Sequence, residues 1–547
     1  MRTAIVRANK PLLIFYPSRS LVRLFSITAF WCNSKADDSL TLLHTTMMAR
    51  QDDGETPLLQ QPDSEQSMVN LKTPLPWNQF WIILVLQFSD FLVFETFSPF
   101  IPELIGDIGV TNGDDSQVGY YAGILHSAYY VSQTLTILYW SQLSDYVGRK
   151  PLILIASFAI ATTMLSFGLS RTFLGLLVSR IICGAFNGEN GVVKNLLMDI
   201  TDATSLPKAY GYLPISWMSA AIIGPLAGGS LSRPADRFPE IFGRSELLKT
   251  YPYLLSCAVP AVCASVAWLV TYFCLKESVS TKASLWELIK GWFLRRSHAK
   301  PSTPSGHALT SSGEESNYEE VPPQPLPLRA VLTPKVLTVI ASNGTFTLFY
   351  IALNSILSIF YAAPIELGGL SLDPPRIGTI FATSAFANGA FQILFYTRLH
   401  DRFGAYVIYM TGLCSGIPVV VLFPVINALA RAHGIGLAVW LAVAIQRVLF
   451  TILEMCFACM ALFIRASAPN RASIGATNGV IQLVAGGARI IGPVCGAAVF
   501  SYSMQEGRDA WLAYYFFMSL GFLAIGTSVF LPRDPCLWEE RKYYDYR

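Results

Sequence analysis

The sequence predicts an all-α membrane protein in which twelve transmembrane helices form two pseudo-symmetric six-helix bundles. Three observations lead to this fold class: few charged residues, apolar runs of membrane-spanning length, and landmarks that recur in both halves of the chain. Of the 547 residues, 52% are hydrophobic and only 14% are charged, whereas a soluble protein has about 25% charged residues. The mean hydropathy is +0.44. We therefore expect the lipid bilayer to be the solvent of this chain.

Twelve apolar runs follow Trp77, and a run of about 20 residues crosses the roughly 30 Å core of a bilayer. In the first half they cover residues 79–102, 117–140, 151–169, 172–198, 208–231 and 253–275. In the second half they cover residues 336–362, 375–397, 405–427, 437–464, 473–501 and 510–531. We number these predicted spans 1 to 12 in chain order.

A long polar stretch between spans 6 and 7 divides the chain into six plus six spans. It contains a proline-rich segment from Val321 to Pro327, which is typical of a linker. Residues 1–36 are basic and free of acids, which fits a transit-like segment. We favour the alternative that the given start is an upstream extension and that Met47 or Met48 opens an ordinary polar tail. The predicted organisation is a disordered cytoplasmic tail at 1–76, a first bundle at 77–275, a cytoplasmic linker at 276–335, a second bundle at 336–531 and a cytoplasmic tail at 532–547.

Basic residues predict which ends of the spans face the cytoplasm. No Lys or Arg occurs between Trp77 and Gly148, and the loop after span 1 contains four acids. Basic residues cluster after span 2, at Arg149 and Lys150, and in the linker. By the positive-inside tendency both termini are cytoplasmic, although the basic loop between spans 5 and 6 departs from that tendency. The expected location is the plasma membrane or the vacuolar membrane.

Three landmarks recur in the same order in both halves. Their offsets are 256 residues (from 145 to 401), 267 residues (from 180 to 447) and 268 residues (from 224 to 492). The first landmark is Asp145-x-x-Gly148 after span 2, which recurs as Asp401-x-x-Gly404 after span 8. The second is Arg180 with Asn187 in span 4, which corresponds to Arg447 with Glu454 in span 10. The third is Gly224-Pro225 in span 5, which recurs as Gly492-Pro493 in span 11. Such an internal repeat is typical of carriers that open a central site to each side of the membrane in turn.

The segment from Trp140 to Pro151, which contains Asp145-Tyr-Val-Gly148-Arg149-Lys150, resembles the loop motif of the major facilitator superfamily between its second and third helices. Gly224-Pro225-Leu-Ala-Gly228-Gly229 looks like the fifth-helix motif of the proton antiporters in that superfamily, and Arg180 stands at the place of their fourth-helix arginine. The resemblance covers about residues 77–531. It implies the major facilitator fold.

Within that superfamily the chain is most similar to the zinc-induced facilitator-like branch of drug:proton antiporters. The similarity lies in Pro74-Leu-Pro76-Trp77, Pro99-Phe-Ile-Pro102, Asn187-Gly188 and Ile200-Thr-Asp202, while the Cys-Pro-Gly-Cys motif frequent in that branch is absent. The resemblance implies a monomeric carrier that exchanges a small organic solute for protons and removes it from the cytosol. Two alternatives remain open: a nutrient importer or uniporter of the same fold, and a transport-inactive membrane receptor.

Composition and motifs argue against several other functions. The net charge of +3 is small, and no basic run with interleaved aromatic residues indicates nucleic-acid binding. Most of the ten cysteines lie in apolar segments, where a thiol packs as a small hydrophobe, so we expect neither a metal site nor a cofactor. No Walker, Gly-x-Ser-x-Gly or His-Glu-x-x-His motif occurs. An enzyme is not expected, and the energy must come from a gradient.

Charged side chains inside the spans are the candidate proton-coupling and cavity residues. Each costs about 2.5–3.5 kcal/mol at bilayer depth, so each should face water or a partner. Asp90 is the first candidate for the proton-carrying carboxylate, with a structural hydrogen bond as an equal alternative. Glu95 lies five residues on, roughly 140° around the helix, so the two acids cannot share a face. The candidates are Asp90, Glu95, Arg180, Asn187, Arg447, Glu454 and Arg489.

The spacing of these candidates predicts their roles. Arg180 and Asn187 are seven residues apart and share a helix face, as do Arg447 and Glu454. We expect both arginines to face the cavity, with Arg180 tuning the proton carboxylate and Glu454 lying opposite Arg489. The alternative is that these charges form ion pairs that fix helix packing.

The remaining motifs predict gates rather than binding groups. Asp145 is expected to accept from the amides of a helix N-terminus and Arg149 to pair with an acid across the bundle. Together these two residues would latch the inner gate, and Gly148 and Lys150 complete the motif. Asp401 and Gly404 would be the weaker counterparts. Small residues and prolines in spans 5 and 11 are expected to allow close helix packing and a bend. These are Gly224, Pro225, Gly228, Gly229, Gly492 and Pro493.

Overall fold

The computed structural model describes residues 75–187, 189–201, 205–277, 328–469, 473–505, 508–509 and 511–533. The predicted tails before residue 75 and after residue 533 and most of the predicted linker lie outside these residues, as do Gly188 and Asp202 of the family-like segments. In the described part the chain is helical and contains no strand.

The first half contains the six predicted spans. Span 2 continues seven residues beyond its predicted end and stops at Gly148, and span 4 is broken at Asn187. The helices are Trp77–Phe97, Val118–Val147, Arg149–Gly168, Phe173–Phe186 with Glu189–Ile200, Leu206–Ser230 and Leu254–Cys274. A short helix, Ile101–Ile108, follows span 1 on the side predicted to face outward.

The second half contains the other six. Span 8 passes through a π-helical segment, Gln392–Tyr396, into the helical run Thr397–His433, which is broken at Gly404 where span 9 begins. The helices are Pro334–Ala362, Pro374–Phe391, Thr397–His433, Leu437–Ser467, Ile474–Ser503 and Leu512–Ser528.

Length and apolar composition alone identify seven membrane-crossing segments in the described residues, with Pro374–His433 taken as one. They account for spans 1, 3, 6, 7, 8, 9, 10 and 11. Spans 2 and 5 are more polar, span 4 is divided in two and span 12 is only 17 residues long. At the break of span 4, Asn187 contacts spans 1 and 2, so other helices supply partners there.

Helix packing follows one plan in both halves. Span 1 packs against spans 5 and 6, and its counterpart, span 7, packs against spans 11 and 12. The halves meet through span 5 against span 8 and span 11 against span 2, a pairing that a pseudo-twofold axis exchanges. The turns after spans 2 and 8 also repeat: Gly148 has φ 105° and ψ 161°, and Gly404 has φ 76° and ψ 162°. Only glycine adopts such angles without strain.

The basic loop between spans 5 and 6 is neutralised by acids from the segment after span 1. Arg233 donates to Asp107 at 3.1 and 2.5 Å and lies 3.4 Å from Glu103, and the Tyr253 hydroxyl donates to Asp107 at 2.5 Å. Burial raises the pKa of Glu103. Because these charges cancel locally, the loop does not contradict the predicted orientation.

Candidate functional site

The two halves are sealed together at their outer ends, opposite the turns at Gly148 and Gly404, by glycines packed against backbone. A methyl group on Gly378 of span 8 would collide with the carbonyl of Pro225 in span 5, and one on Gly123 of span 2 would lie 2.9 Å from the carbonyl of Pro493 in span 11. Gly229 likewise packs on the backbone of Pro374. The proline motifs of spans 5 and 11 therefore make equivalent contacts across the interface.

The other motif glycines pack within their own half. Gly224 and Gly228 lie against Glu95 and Thr96 of span 1, and Gly492 lies against Ile351 and Ala352 of span 7. Close helix packing was the predicted role of these residues. The contacts show which neighbours they approach.

The two helix pairs that join the halves, span 5 with span 8 and span 2 with span 11, separate toward the side of the Gly148 and Gly404 turns. We call this the linker side. In spans 2 and 11 the last close approach is Thr134 to Gly486, where a methyl group would meet the threonine hydroxyl at 3.7 Å. Seven residues further along the same face, a methyl group on Gly479 would meet no atom within 4 Å. Gly211 in span 5 is equally free, although Met218, on the same face, touches Gly389 of span 8. A cavity therefore opens between the halves on the side predicted to be cytoplasmic.

Asp90 lies in a polar cluster inside the first half. The broken backbone at Asn187 turns its amide toward span 1, where it donates to the Asp90 carboxylate, and toward span 2, where it contacts the Tyr129 hydroxyl at 2.6 Å. Gln133 of span 2 donates to Asn187 at 3.3 Å. These three hydrogen bonds lie within one bundle. They satisfy buried polar groups that would cost about 1–3 kcal/mol each if left unpaired.

Arg180 lies beside this cluster and is held by aromatic rings. Its guanidinium carbon is 3.4 Å from the ring centroid of Phe97 and 4.8 Å from that of Phe167. Its Nε and Nη2 atoms are buried and have no hydrogen-bond partner among the described residues. Tyr129 is within electrostatic range of both Arg180 and Asp90. Arg180 is thus held by cation–π contacts and not by the ion pair that the helix-packing alternative expects.

A second polar cluster joins the two halves. Glu454 of span 10 accepts hydrogen bonds from the Tyr350 hydroxyl at 3.0 Å and from Asn388 at 2.5 Å. Arg447, on the same helix face, donates to Ser384 at 2.9 Å. Glu95 of span 1 is within electrostatic range of Glu454 and Arg447. Two carboxylates from opposite halves therefore lie within electrostatic range of one guanidinium.

Arg489 does not pair with Glu454, whose charged neighbour is Arg447. Arg489 lies instead near Tyr130 and Lys194 of the first half. No ion pair or hydrogen bond of its guanidinium is found in the described part of the chain. The prediction that Glu454 lies opposite Arg489 is therefore wrong, because the sequence does not specify how span 11 is rotated against the other half.

The gating motif is anchored by two acids that the sequence reasoning missed. Arg149 forms an ion pair with Asp199 at the end of span 4, with Nε and Oδ2 3.1 Å apart, and also donates to Ser144. Glu277, after span 6, accepts from the backbone amides of Arg149 at 2.8 Å and Lys150 at 3.0 Å. This ion pair lies within the first bundle, between the start of span 3 and the end of span 4.

The repeat counterpart of this motif is less anchored. Asp401 is 72% exposed and its one ion-pair contact in the described residues is to His400, at 3.7 Å. Asp145 lies in the last turn of span 2. The turns at Gly148 and Gly404 have the same glycine backbone conformation. The anchoring acids, Asp199 and Glu277, are found at the Gly148 turn.

Several site residues were not predicted, although one had a signal in the sequence. Asn388 follows Gln133 by 255 residues, close to the 256-residue offset of the repeat, so the repeat could have identified it. Tyr350 and Ser384 are ordinary residues of apolar helices. Only their contacts in the structure identify them as residues of the site.

Comparisons with known proteins agree on the type of protein. Residues 83–368 match the family profile described as Major Facilitator Superfamily. The chain is 29% identical over 448 residues to the major facilitator-type transporter psiT2 of Psilocybe cubensis, with 77% of this chain and 84% of that protein covered.

Two further relatives come from a plant and a fungus. Protein ZINC INDUCED FACILITATOR 1 of Arabidopsis thaliana is 24% identical over 479 residues, covering 87% of this chain and 95% of its own length. The efflux pump azaK of Aspergillus niger is 25% identical over 438 residues, covering 80% and 83%. The similarity to the zinc-induced facilitator-like branch is therefore confirmed.

A solved structure shows the same fold. A bacterial homologue of the human lysosomal transporter Spinster, in an inward-facing and unoccupied conformation, matches with a TM-score of 0.53 at 15% identity, covering 84% of this chain and 95% of that one. The predicted fold class is confirmed.

Proposed function

The chain belongs to the major facilitator superfamily of membrane transporters, and on that premise we propose that it is a proton-coupled antiporter that exports a small organic solute. The residues 77–275 and 336–531 form the two bodies that rock about the central site, and the protein acts as a monomer in the plasma or vacuolar membrane. The name of one relative, an efflux pump, supports export.

The observation that carries this proposal is the cluster of Glu95, Glu454 and Arg447 between the halves. Two carboxylates and one guanidinium leave a net negative charge when both acids are ionised. A proton on either acid removes their mutual repulsion. Tyr130 and Tyr350 also lie within electrostatic range of Glu95. Protonation therefore favours the arrangement in which the outer seal is closed.

This electrostatic difference gives a transport cycle. Protons enter from the outer side while that side is open, neutralise the pair and allow the outer seal to close. The cavity then faces the linker side, where the proton leaves and the solute binds. Loss of the proton restores repulsion across the interface, so the outer side reopens and the solute is released there.

Among the candidate acids the geometry favours Glu95 over Asp90 as the coupling group. The Asp90 carboxylate is bonded to Asn187 within one half, so rocking of the halves changes its surroundings little. Glu95 faces the other half and its surroundings change with each cycle. We assign Asp90 to the structural alternative weighed for it above.

The test is proton flux in proteoliposomes containing the purified full chain, with a pH dye inside and a panel of anionic, neutral and cationic compounds added outside. At least one compound should drive proton movement in the wild type. Glu95→Gln should abolish that movement while exchange of the same compound across the membrane continues, since the carrier still rocks.

Two variants complete this test. Asp90→Asn and the outer-loop control Glu366→Gln should keep compound-driven proton movement. Unchanged proton movement in Glu95→Gln would discard Glu95 as the coupling group. Exchange without any proton movement in the wild type would favour a uniporter.

A further inference from the structure

Two cations from opposite halves face each other where the cavity opens. Lys194 of span 4 is exposed, Arg489 of span 11 is half-buried, and they lie within electrostatic range of each other. No hydrogen bond or ion pair of either side chain occurs among the described residues. Two like charges at bilayer depth without a counter-charge are unfavourable unless something balances them.

Three other cations of the helices have identified neighbours. Arg180 lies on the ring of Phe97. Arg447 donates to Ser384 and lies near Glu454. Arg149 is paired with Asp199. Lys194 and Arg489 are thus distinguished from these by their exposure to the cavity and by the lack of a partner in the part of the chain that the structure describes.

Contacts of neighbouring glycines with span 2 locate Lys194 and Arg489. Gly191, one turn before Lys194, packs against Ile137, where a methyl group would meet Cγ1 at 3.7 Å. Thr134, one turn before Ile137, approaches Gly486, which is one turn before Arg489. Lys194 and Arg489 therefore flank the point at which spans 2 and 11 begin to separate. A solute entering from the linker side reaches both.

We propose that Lys194 and Arg489 form a subsite for the oxyanion group, a carboxylate or a phosphate monoester, of the transported solute. The guanidinium fork binds such a group with two parallel hydrogen bonds, and the ammonium adds a point charge. This inference rests on the proposed function and names its substrate class.

The subsite also couples occupancy to movement. Closing the linker side brings Lys194 and Arg489, which belong to different halves, closer together. Without an anion the two charges oppose that closure, whereas an oxyanion between them attracts both. Only the loaded carrier then closes, as exchange of solute for protons requires.

The first test measures the charge of the cavity without knowledge of the solute. A cysteine introduced as Gly486→Cys is allowed to react with anionic sulfonatoethyl or cationic trimethylammonioethyl methanethiosulfonate, and its modification is followed by peptide-resolved mass spectrometry. The anionic reagent should react faster. Adding Lys194→Gln or Arg489→Gln should lower the anionic-to-cationic rate ratio by about threefold or more, whereas Lys335→Gln, an exposed position at the start of span 7, should leave it unchanged.

The second test compares compounds of similar shape and different charge. The melting temperature of the full chain in neutral-lipid nanodiscs is measured with 3-phenylpropionate, 2-phenylethyl phosphate, 3-phenylpropanol or 3-phenylpropylamine. The two oxyanions should stabilise the wild type and the Lys335→Gln control. They should not stabilise Lys194→Gln or Arg489→Gln.

Three outcomes would overturn the subsite. In the first test, the anionic-to-cationic rate ratio would be unaffected by either substitution. In the second test, the amine would raise the melting temperature more than the oxyanions do. The third outcome is that phosphatidylglycerol in the nanodisc, and not the added compounds, raises the melting temperature, which would make a lipid headgroup the occupant. None of these measurements uses a proton gradient. Oxyanion binding without proton movement would therefore refute only the proposed coupling, and pH-driven flux of a cation would refute only the subsite.

Discussion

At the scale of single residues, the polar side chains of the spans are held in two ways. Amide and hydroxyl groups such as Asn187, Tyr350 and Asn388 satisfy the carboxylates, whereas Arg180 is held mainly by rings. Each arrangement allows a charge to remain at bilayer depth without a full ion pair. A weakly paired charge changes partners at a lower cost than one in a buried salt bridge.

The contact between Arg180 and Phe97 makes a prediction about stability. Phe97→Leu removes the ring face and should cost about 2 kcal/mol, the value of a desolvated cation–π contact. The melting temperature of the purified protein should fall. Phe158→Leu, on a side chain that is 59% exposed in span 3, is the matched control and should leave it nearly unchanged. Equal effects of the two changes would show that the ring matters only as apolar bulk.

Sequence reasoning found the residue types of the site but not its pairings. Asp90, Glu95, Arg180, Arg447 and Glu454 stand out because ionisable groups are rare in apolar helices, and their spacing along each helix gives the shared faces. Which residue meets which across two helices depends on helix rotation, and no local pattern encodes that rotation. For this reason Arg489 was assigned the wrong partner, and Asp199 and Glu277, which lie at the ends of spans, were missed.

At the scale of elements, the glycines of spans 2, 5, 8 and 11 allow the outer seal to form. Their missing side chains let the backbone of one half approach the backbone of the other, and in lipid such packing replaces the hydrophobic drive. The repeat of Gly-Pro predicted close approach at these positions. It did not predict that the proline carbonyls would be the atoms contacted.

A single methyl group should weaken this seal. Gly378→Ala places Cβ against the Pro225 carbonyl of the opposite half, so the outer end should close less readily and solute exchange in proteoliposomes should slow by about tenfold, equivalent to about 1.4 kcal/mol. Gly479→Ala on span 11 adds the same methyl group to open space and should exchange at the wild-type rate. Equal rates for the two variants would refute the steric explanation.

The acid after span 6 caps the N-terminus of span 3. Glu277→Ala leaves the amides of Arg149 and Lys150 without their carboxylate and should cost about 1 kcal/mol, as other caps do. Thermal unfolding of the purified protein measures this loss. The control is Glu246→Ala, on a side chain that is 84% exposed in the outer loop. If the control lowered the melting temperature as much, the capping role would be wrong.

At the scale of the whole molecule, the two halves are related by contacts as well as by sequence. Span 5 meets span 8 as span 11 meets span 2, Gly224 packs on span 1 as Gly492 packs on span 7, and both proline carbonyls meet a glycine of the other half. The offset of the landmarks was sufficient to predict this architecture. It could not indicate which side is open, because the conformation depends on contacts that both halves exchange during the cycle.

The central claim is that the halves rock under control of the Glu95 and Glu454 pair, and distances between spin labels in the reconstituted full chain test it most directly. One label pair replaces Gly211 and Phe395 on the linker side, and the other replaces Asp115 and Arg508 on the outer side. Acidification should lengthen the linker-side distance and shorten the outer one, alkalinisation should do the reverse, and in Glu95→Gln neither distance should depend on pH. Distances that stay constant, that change in the same direction at both ends, or that respond to pH equally in Glu95→Gln would contradict it.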